Sequence, residues 1–223
     1  AGVQVVRGRA ALVDDQNVVV NGKTYAARKI LIATGGQAVP LNVPGGEMIH
    51  TSDAFFAMDE LPRSAAVIGG GYIALEFATI LRGFGVAVTL IHRSDAILRG
   101  FDQEVRDFVG AQLGESSLDL RLNTEVVCAT AVGDAVSLEL SCGSTLTVDR
   151  VFSAIGRTPN TVGLNLDAVG VVQSDRGHIV VNDQHQTSVP TVYAVGDVTD
   201  TIQLTPVALA QGMAFARSIC GVG

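Results

Sequence analysis

The stretch that decides the fold is AAVIGGGYIALEFATILRGFGVAVTLIHR, residues 65–93. An apolar run leads into three glycines, a segment with helical spacing follows, and a second apolar run ends at a histidine and an arginine. Strand, glycine turn, helix and strand form a βαβ unit, and strands that are apolar throughout are typical of parallel sheets covered on both faces. These residues therefore predict an α/β fold with a parallel sheet.

The glycine turn has the GxGxxG/A spacing of dinucleotide-binding units, with Gly69, Gly71 and Ala74 at the three positions. Gly69 permits the tight turn, Gly71 lets a pyrophosphate approach the backbone, and Ala74 lets helix and strand pack closely. The helix from Tyr72 would bind the pyrophosphate at its N-terminus, where backbone amides lack partners. A glycine turn alone can be purely structural, but the flanking strands and helix favour a dinucleotide site.

The end of the second strand predicts which dinucleotide binds. NAD-preferring units carry an acidic residue about 20 positions after the first glycine, whereas a nearby arginine accommodates a 2′-phosphate. Here His92 stands at the acidic position, Arg93 follows it, and Arg99 lies in the same segment. We therefore expect NADPH rather than NADH, with Arg93 and Arg99 clamping the 2′-phosphate and His92 merely replacing the acid. The alternative is that both arginines are solvated surface charges.

Composition excludes several classes of protein. The 223 residues are 48% hydrophobic and 17% charged, with a net charge of -7 and a pI near 5.0, which argues against binding along nucleic acids or on anionic membranes. Three cysteines without a CxxC or CxxxxC pair indicate a reducing, cytoplasmic compartment rather than a disulfide scaffold. The four histidines have no metal-ligand spacing, so no metal site is expected.

The remaining chain divides into recognisable elements. Asn21-Gly22 predicts a hairpin turn, and KILIATGG a buried strand running into a glycine turn. A short helix is expected around SDAFFAM, and a domain boundary near Leu61–Arg63.

The second half of the chain should begin with a helix capped by Asp102. Its buried face is predicted to consist of Val105, Phe108, Val109 and Leu113. EVVCATAV, AVSLELS and STLTVD read as short strands, the middle one with alternate residues buried. The last helix is expected to have Thr205 as N-cap, Pro206 at its first position and Gly221 as its stop.

With GGGYIALEFA, ILRGFD, AIGRTPN, TSVPTVYAVGDVTD and LTPVALAQGMAFA in this order, the chain resembles the FAD- and NADPH-dependent pyridine nucleotide-disulfide oxidoreductases. The likeness runs essentially from end to end. It implies a Rossmann-like three-layer FAD/NAD(P)-binding fold with a parallel sheet and an antiparallel β-meander, incomplete at both ends. Residues 1–62 would be part of the FAD-binding domain, residues 63–155 the NADPH-binding domain, and residues 156–223 a segment returning to the FAD-binding domain.

The resemblance also implies roles for residues on the FAD side. Thr34, Gly35 and Gly36 would line this site, and Asp197 would hydrogen-bond the ribitol chain of the flavin. Leu204 and Thr205 would direct backbone amides at the flavin ring, where reduction adds negative charge. Without the resemblance, Asp197 would be interpreted as an ordinary turn residue.

Other residues would serve the nicotinamide end. Tyr72 resembles a gate over the flavin, and Glu76 the partner of a lysine near the redox disulfide. Without the resemblance, Tyr72 would be a core aromatic and Glu76 a solvated helix residue. The resemblance further implies that small residues admit the nicotinamide and that a glycine-arginine pair borders it: Ala74, Ala78, Gly156 and Arg157.

As a whole enzyme, the resemblance implies a homodimeric oxidoreductase that passes electrons from NADPH through FAD to a small disulfide, glutathione disulfide foremost. The redox cysteine pair, the lysine partner of Glu76 and the C-terminal acid-base histidine are all lacking, so this chain should not reduce disulfides by itself. Two alternatives remain open. One is another flavoprotein disulfide reductase or a mercuric reductase, and the other is a non-catalytic NADPH-binding module.

Overall fold

A computed structural model describes residues 2–116 and 118–221 of the chain. These residues form two compact units. The first consists of Ala1–Gln37 and Thr158–Gly223, and the second is the continuous range Ala38–Arg157. Each boundary falls inside a short strand.

The strands of the described residues are, in chain order, β1 (Ala10–Leu12), β2 (Asn17–Val20), β3 (Lys23–Ala26), β4 (Ile30–Ile32), β5 (Gly36–Ala38), β6 (Ser64–Ile68), β7 (Ala87–Ile91), β8 (Asp119–Arg121), β9 (Val126–Val132), β10 (Ala135–Leu140), β11 (Thr145–Val148), β12 (Arg150–Ser153), β13 (Arg157–Pro159) and β14 (Val192–Ala194). The α-helices are α1 (Ser52–Phe56), α2 (Tyr72–Gly83), α3 (Gln103–Glu115), α4 (Leu166–Val169) and α5 (Thr205–Cys220). Gly46–Met48 and Gly196–Val198 form single 3₁₀ turns.

A parallel four-stranded sheet with the order β12-β6-β7-β8 forms the centre of the second unit. The chain crosses from β6 to β7 through α2, which confirms the βαβ unit predicted from residues 65–93. Neither face of this sheet is left to solvent. Ala65 and Val67 of β6 face the helices, while Ala66 and Ile68 face the opposite layer.

The opposite layer is an antiparallel meander of β9, β10 and β11. Along β10, Leu138 and Leu140 are buried and Glu139 is exposed, as the alternation in the sequence predicts. The two leucines pack with Ile68, Ile91 and other residues of the parallel sheet. Helices, parallel sheet and meander therefore make the three layers that the resemblance implies.

The domain boundary expected near Leu61–Arg63 is wrong, because residues 38–62 belong to the second unit. Two backbone hydrogen bonds join His50 to β12: its amide donates to the carbonyl of Val151, and the amide of Ser153 donates to its carbonyl. Ile49 and Phe55 are buried in the two cores of this unit. The segment therefore adds buried surface to the sheet instead of linking two domains.

Helix α3 begins as predicted, with the Asp102 side chain accepting a hydrogen bond from the amide of Glu104. Its buried face is only half as predicted. Leu113 is buried and Val109 packs against the core, but Val105 and Phe108 are 46% and 67% exposed. Only the C-terminal half of the helix lies on the core, so the apolar residues of its first half stay in solvent.

The first unit contains an antiparallel sheet of β1, β2 and β3. Asn21 and Gly22 join the last two strands with positive φ angles of 51° and 77°, the hairpin turn that the pair predicts. The strand predicted from KILIATGG is β4, which pairs in parallel with β14. Ile30 and Ile32 lie in a core with Val192, Ala194 and Val198.

Helix α5 starts one residue earlier than predicted, with Leu204 rather than Thr205 in the cap position. Its stop at Gly221, with a φ of 67°, is as expected. Phe215 contacts the ring of Tyr193, but Leu209 and Met213 are 65% and 57% exposed. Among the described helices, none has both the length and the apolar character that crossing a membrane requires.

Candidate cofactor-binding sites

Gly69 lies in the turn between β6 and α2 and cannot be replaced without strain. Its φ is 141°, and a β-carbon there would stand 2.4 Å from the carbonyl oxygen of Ala154 and 3.2 Å from the β-carbon of Ala74. Both the backbone angle and the space exclude a side chain. Gly69 thus lets the turn close against the sheet and α2.

Gly71 caps the N-terminus of α2 under different constraints. Its φ of -86° suits any residue, and a β-carbon would meet no protein atom within 4 Å. No side chain caps the helix, so the amides of its first turn have no side-chain partner there. Open space before free amides at the positive end of the helix fits the pyrophosphate of a dinucleotide.

Gly70, between these two, contacts His92. A β-carbon on Gly70 would lie 2.5–2.6 Å from three atoms of the imidazole ring. The carbonyl of Gly70 accepts a hydrogen bond of 2.6 Å from the amide of Leu98. The spacing motif leaves this position free, so the sequence analysis did not single it out; the run of three consecutive glycines, with Gly70 in the middle, was the available signal.

Both predicted phosphate-binding arginines follow directly on residues that contact Gly70. Arg93 follows His92, Arg99 follows Leu98, and both side chains are exposed. Within residues 2–116 and 118–221, neither guanidinium forms an ion pair with a carboxylate. Two unpaired cations next to a helix N-terminus suit a ligand with more than one phosphate group.

The charge of this region comes from the arginines rather than from His92. Burial lowers the pKa of His92 below its ordinary 6.5, and the positive charge of Arg93 lowers it further; a backbone hydrogen bond at Ala96 and the charge of Asp95 oppose this shift. At neutral pH the ring is therefore uncharged. It acts as a packing surface for the glycine turn.

Helix α2 presents different residues to the core and to solvent. Tyr72 and Glu76, one turn apart, are exposed, the tyrosine by 41%. Ala74 and Ala78 have no exposed surface and pack in the helix-side core. In this structure the two alanines act by letting the helix approach the sheet, so any effect on a cofactor would be indirect.

The lysine partner expected for Glu76 does not occur near it in the sequence. The chain has only two lysines, both in the first unit. Lys29 donates to the hydroxyl of Tyr193 at 2.6 Å, and Lys23 lies over the ring of Tyr25.

Gly156 and Arg157 follow β12 at the end of the second unit. Gly156 has a φ of 144° that excludes other residues, yet a β-carbon would find open space. Its carbonyl accepts a hydrogen bond from Val39. Arg157 is half-buried and has an interaction partner.

The residues predicted for FAD lie at two places in the first unit. Thr34, Gly35 and Gly36 follow β4, with Gly35 left-handed at a φ of 68° and open space at its α-carbon. Asp197 lies in the 3₁₀ turn after β14. Because β4 and β14 are parallel neighbours, both sets of residues lie at the carboxyl ends of the strands, on the same edge of the sheet. That edge is where ligands bind in open α/β sheets.

Asp197 and the start of α5 leave polar groups available to a ligand. The Asp197 carboxylate forms no hydrogen bond or ion pair with the described residues, and Gln211 fixes the neighbouring Gly196 by accepting from its amide at 2.7 Å. Leu204 caps α5 without a side-chain hydrogen bond. The amide of Leu204 donates to the carbonyl of Ile202 at 2.9 Å and Pro206 has no amide, so the carboxylate and the amide of Thr205 are the groups that fit the hydroxyl and ring ends of a flavin cofactor.

In the described part of the chain, no group of three or more His, Cys, Asp or Glu side chains is placed to hold a metal. Cys128 and Cys142 are free thiols. The side-chain hydrogen bond between Cys142 and Ser144 is the main cause that lowers the pKa of Cys142.

The glycine turn, the unpaired arginines and the parallel sheet agree with a comparison against protein families, in which the pyridine nucleotide-disulphide oxidoreductase profile matches residues 1–212. The chain belongs to this family. Membership confirms the prediction of a flavoprotein oxidoreductase fold of the class that uses FAD and NADPH.

Three similar curated proteins are named glutathione reductase. The chain is 44% identical to a glutathione reductase of Burkholderia cepacia over 99% of its own length and 49% of that protein. It is 40% identical to a Nostoc glutathione reductase, covering 99% of this chain and 51% of the relative. A chloroplastic/mitochondrial glutathione reductase of Pisum sativum is also 40% identical, with coverages of 98% and 40%. The chain thus spans about half the length of the curated relatives it matches.

Solved structures agree on the fold. The HOCl-induced flavoprotein disulfide reductase RclA from Escherichia coli superposes with a TM-score of 0.90 at 28% identity, covering 99% of this chain and 51% of that one. Its Cu(II) complex gives a TM-score of 0.91 at the same identity and coverages. The predicted three-layer FAD/NAD(P)-binding architecture is therefore confirmed.

Proposed function

We propose that this chain is a portion of a glutathione reductase, with Ala38–Arg157 as its NADPH-binding unit and Ala1–Gln37 with Thr158–Gly223 as part of its FAD-binding unit. In the whole enzyme, electrons would pass from NADPH through FAD and a protein disulfide to glutathione disulfide. The observation that carries the proposal is the pair of unpaired arginines beside the glycine turn, in a chain that is 40–44% identical to three glutathione reductases.

On the NADPH side, each residue has a defined task. Gly69 closes the turn, and Gly71 opens the way to the amides of α2, which bind the pyrophosphate. Arg93 and Arg99 bind the 2′-phosphate. Where an NAD-specific site would place a repelling carboxylate, His92 carries no negative charge. These features favour NADPH over NADH.

At the nicotinamide end, exposed Tyr72 is the gate residue and exposed Glu76 the partner of a lysine beside the redox disulfide. Gly156 and Arg157 border the nicotinamide. Ala74 and Ala78 contribute by keeping α2 close to the sheet, since both are fully buried.

On the FAD side, Thr34, Gly35 and Gly36 line the site and the free carboxylate of Asp197 accepts hydrogen bonds from the ribitol hydroxyls. The start of α5, at Leu204 and Thr205, faces the ring; Thr205 would supply the amide, because that of Leu204 donates to the carbonyl of Ile202. FAD supplies the electron transfer between the nicotinamide and the disulfide when it is bound.

By itself the chain would bind NADPH without reducing disulfides, because its 223 residues contain no CxxxxC pair. We place the whole enzyme in the cytoplasm as a homodimer acting on glutathione disulfide. The names of the relatives support this substrate. Another flavoprotein disulfide reductase is the alternative, which the similarity to RclA supports.

The cofactor assignment is tested by titrating the chain with NADPH and NADH. Replacing Arg93 and Arg99 together by alanine should weaken NADPH binding by about 10- to 100-fold, because charge-assisted hydrogen bonds to the phosphate are lost, and should change NADH binding little. The matched control is Arg82→Ala, which removes a charge from the opposite end of α2. Equal losses for both dinucleotides would contradict the 2′-phosphate assignment.

The substrate assignment needs the full-length protein. Steady-state rates with glutathione disulfide, with other small disulfides and with Hg²⁺ should favour glutathione disulfide. A preference for another acceptor would support the alternative reductase and leave the NADPH site untouched.

A further inference from the structure

Gly70 joins the glycine turn to the segment that carries both arginines. The ring of His92 lies against its α-carbon, and the amide of Leu98 binds its carbonyl oxygen at 2.6 Å. Arg93 and Arg99 are the next residues in sequence after these two contacts. Contacts with Gly70 therefore contribute to the positions of both cations relative to the turn.

The backbone of Gly70 does not require a glycine. Its φ lies outside the left-handed range, unlike that of Gly69, so an alanine could adopt the same conformation. The obstacle is the His92 ring, three atoms of which would lie 2.5–2.6 Å from a β-carbon. Glycine at this position is thus matched to the histidine that follows β7.

Other contacts also hold the segment from His92 to Arg99, so the contribution of the His92 ring can be stated separately. The backbone of His92 is bound to the strand side: its amide donates to Arg121 and its carbonyl accepts from Thr124. Leu98, with a φ of 55°, is buried. Arg106 donates from Nε to the carbonyl of Ile97. These contacts fix the backbone of the segment. The ring of His92 adds a side-chain contact between this segment and the glycine turn.

We propose that His92 is a positioning residue for cofactor specificity, whose ring, seated on Gly70, fixes the distance between Arg93 and the pyrophosphate-binding turn. This inference rests on the proposed function, because it requires a dinucleotide with a 2′-phosphate. The affinity for a ligand that spans from the helix N-terminus to the arginine depends on that distance. The affinity for NADH, which has a free ribose hydroxyl there, depends on it far less.

The test compares His92→Ala, Gly70→Ala and the double variant in the full chain. Binding of NADPH and NADH is measured by calorimetry, and 2′,5′-ADP and AMP serve as minimal probes. Each single variant should lower the ratio of NADPH to NADH affinity about tenfold or more, because the arginine is displaced from the phosphate. In the double variant the methyl group added by Gly70→Ala occupies space left by the ring, so its affinity ratio should exceed that of Gly70→Ala alone.

Two further variants separate positioning from general stability. His92→Phe keeps a flat ring without its nitrogens and should preserve most of the preference for NADPH. His50→Ala removes another histidine of the same unit, whose ring lies near Phe152, and should leave the ratio unchanged. Thermal unfolding of each variant shows whether it is folded.

The outcomes are distinct. A wild-type chain that binds NADPH and NADH equally would overturn the proposed cofactor and this inference with it. A wild-type chain that prefers NADPH, with the same preference in His92→Ala and Gly70→Ala, would overturn this inference alone. Equal losses of NADPH and NADH in the single variants would also overturn it.

Discussion

The rings of Phe55 and Phe77 are stacked, with 3.7 Å between their centroids and 2° between their planes. Phe55 lies in α1 and Phe77 in α2, and both are buried. The contact places the segment before β6 in the core of the unit that contains the glycine turn.

Replacing Phe55 by alanine should therefore lower the free energy of unfolding by about 3–5 kcal/mol, the usual cost of removing a buried aromatic ring. Urea denaturation followed by circular dichroism measures it. Phe56→Ala is the matched control, because its neighbouring side chain is 80% exposed, and it should cost less than about 1 kcal/mol. Similar losses in both variants would contradict the assignment of residues 38–62 to this unit.

Replacing two glycines of the GxGxxG/A motif by alanine should affect different properties, stability in one case and NADPH binding in the other. Gly69→Ala should destabilise the fold by about 1–3 kcal/mol, because it combines an unfavourable φ with a clash against the carbonyl of Ala154. Gly71→Ala has room for its methyl group and should change stability by less than about 1 kcal/mol. It should instead weaken NADPH binding, because the methyl occupies the space proposed for the pyrophosphate.

Unfolding and NADPH titration of the same two variants separate these effects. Gly83→Ala, in the exposed last turn of α2 with open space around it, is the control for both measurements. If Gly71→Ala binds NADPH with full affinity, the proposal that the pyrophosphate lies at this position is contradicted.

Asp149 should make stability depend on pH in acid. Its side chain is 25% exposed and joins the starts of β12 and β6, accepting from the amides of Arg63 and Ser64 at 2.9 and 3.2 Å. Partial desolvation raises its pKa, but these hydrogen bonds and the charge of Arg63 outweigh this and lower the pKa below its ordinary 3.8.

A carboxylate with a lowered pKa in the folded state stabilises the fold above its unfolded value, and this contribution is lost as the pH falls through the folded value. The free energy of unfolding should thus exceed that of Asp149→Asn at pH 5 and above, and the difference should shrink below 3.8. Asp134→Asn, in the exposed β9–β10 turn, is the matched control. A constant difference between wild type and Asp149→Asn at all pH values would contradict the expectation.

Asp197→Ala should reduce the flavin content of the full-length protein, because the proposed acceptor for the ribitol hydroxyls is lost. The measurement is flavin absorbance per protein after gel filtration. Asp175→Ala removes an exposed carboxylate of the same unit and should retain full flavin. Undiminished flavin in Asp197→Ala would exclude its proposed role.

Local patterns predicted those parts of the fold that short-range physics specifies. The Asn21-Gly22 hairpin, the Asp102 cap and the β6–α2–β7 unit all depend on residues close in sequence, and the structure contains each of them. The face of α3 was partly wrong because burial depends on where a helix lies on its core. Val105 and Phe108 have the right spacing but lie on the half of the helix that leaves the core.

The sequence by itself determined the dinucleotide fingerprint, the missing acid after β7 and the nearby arginines, since these are matters of residue type and spacing. Only the tertiary structure decided that residues 38–62 join the second unit, because that depends on contacts of His50 and Phe55 with distant strands and helices. It likewise changed the meaning of His92. In the sequence this residue only replaces an acid; in the folded chain its uncharged ring packs on Gly70, a contact between two elements that no local pattern encodes.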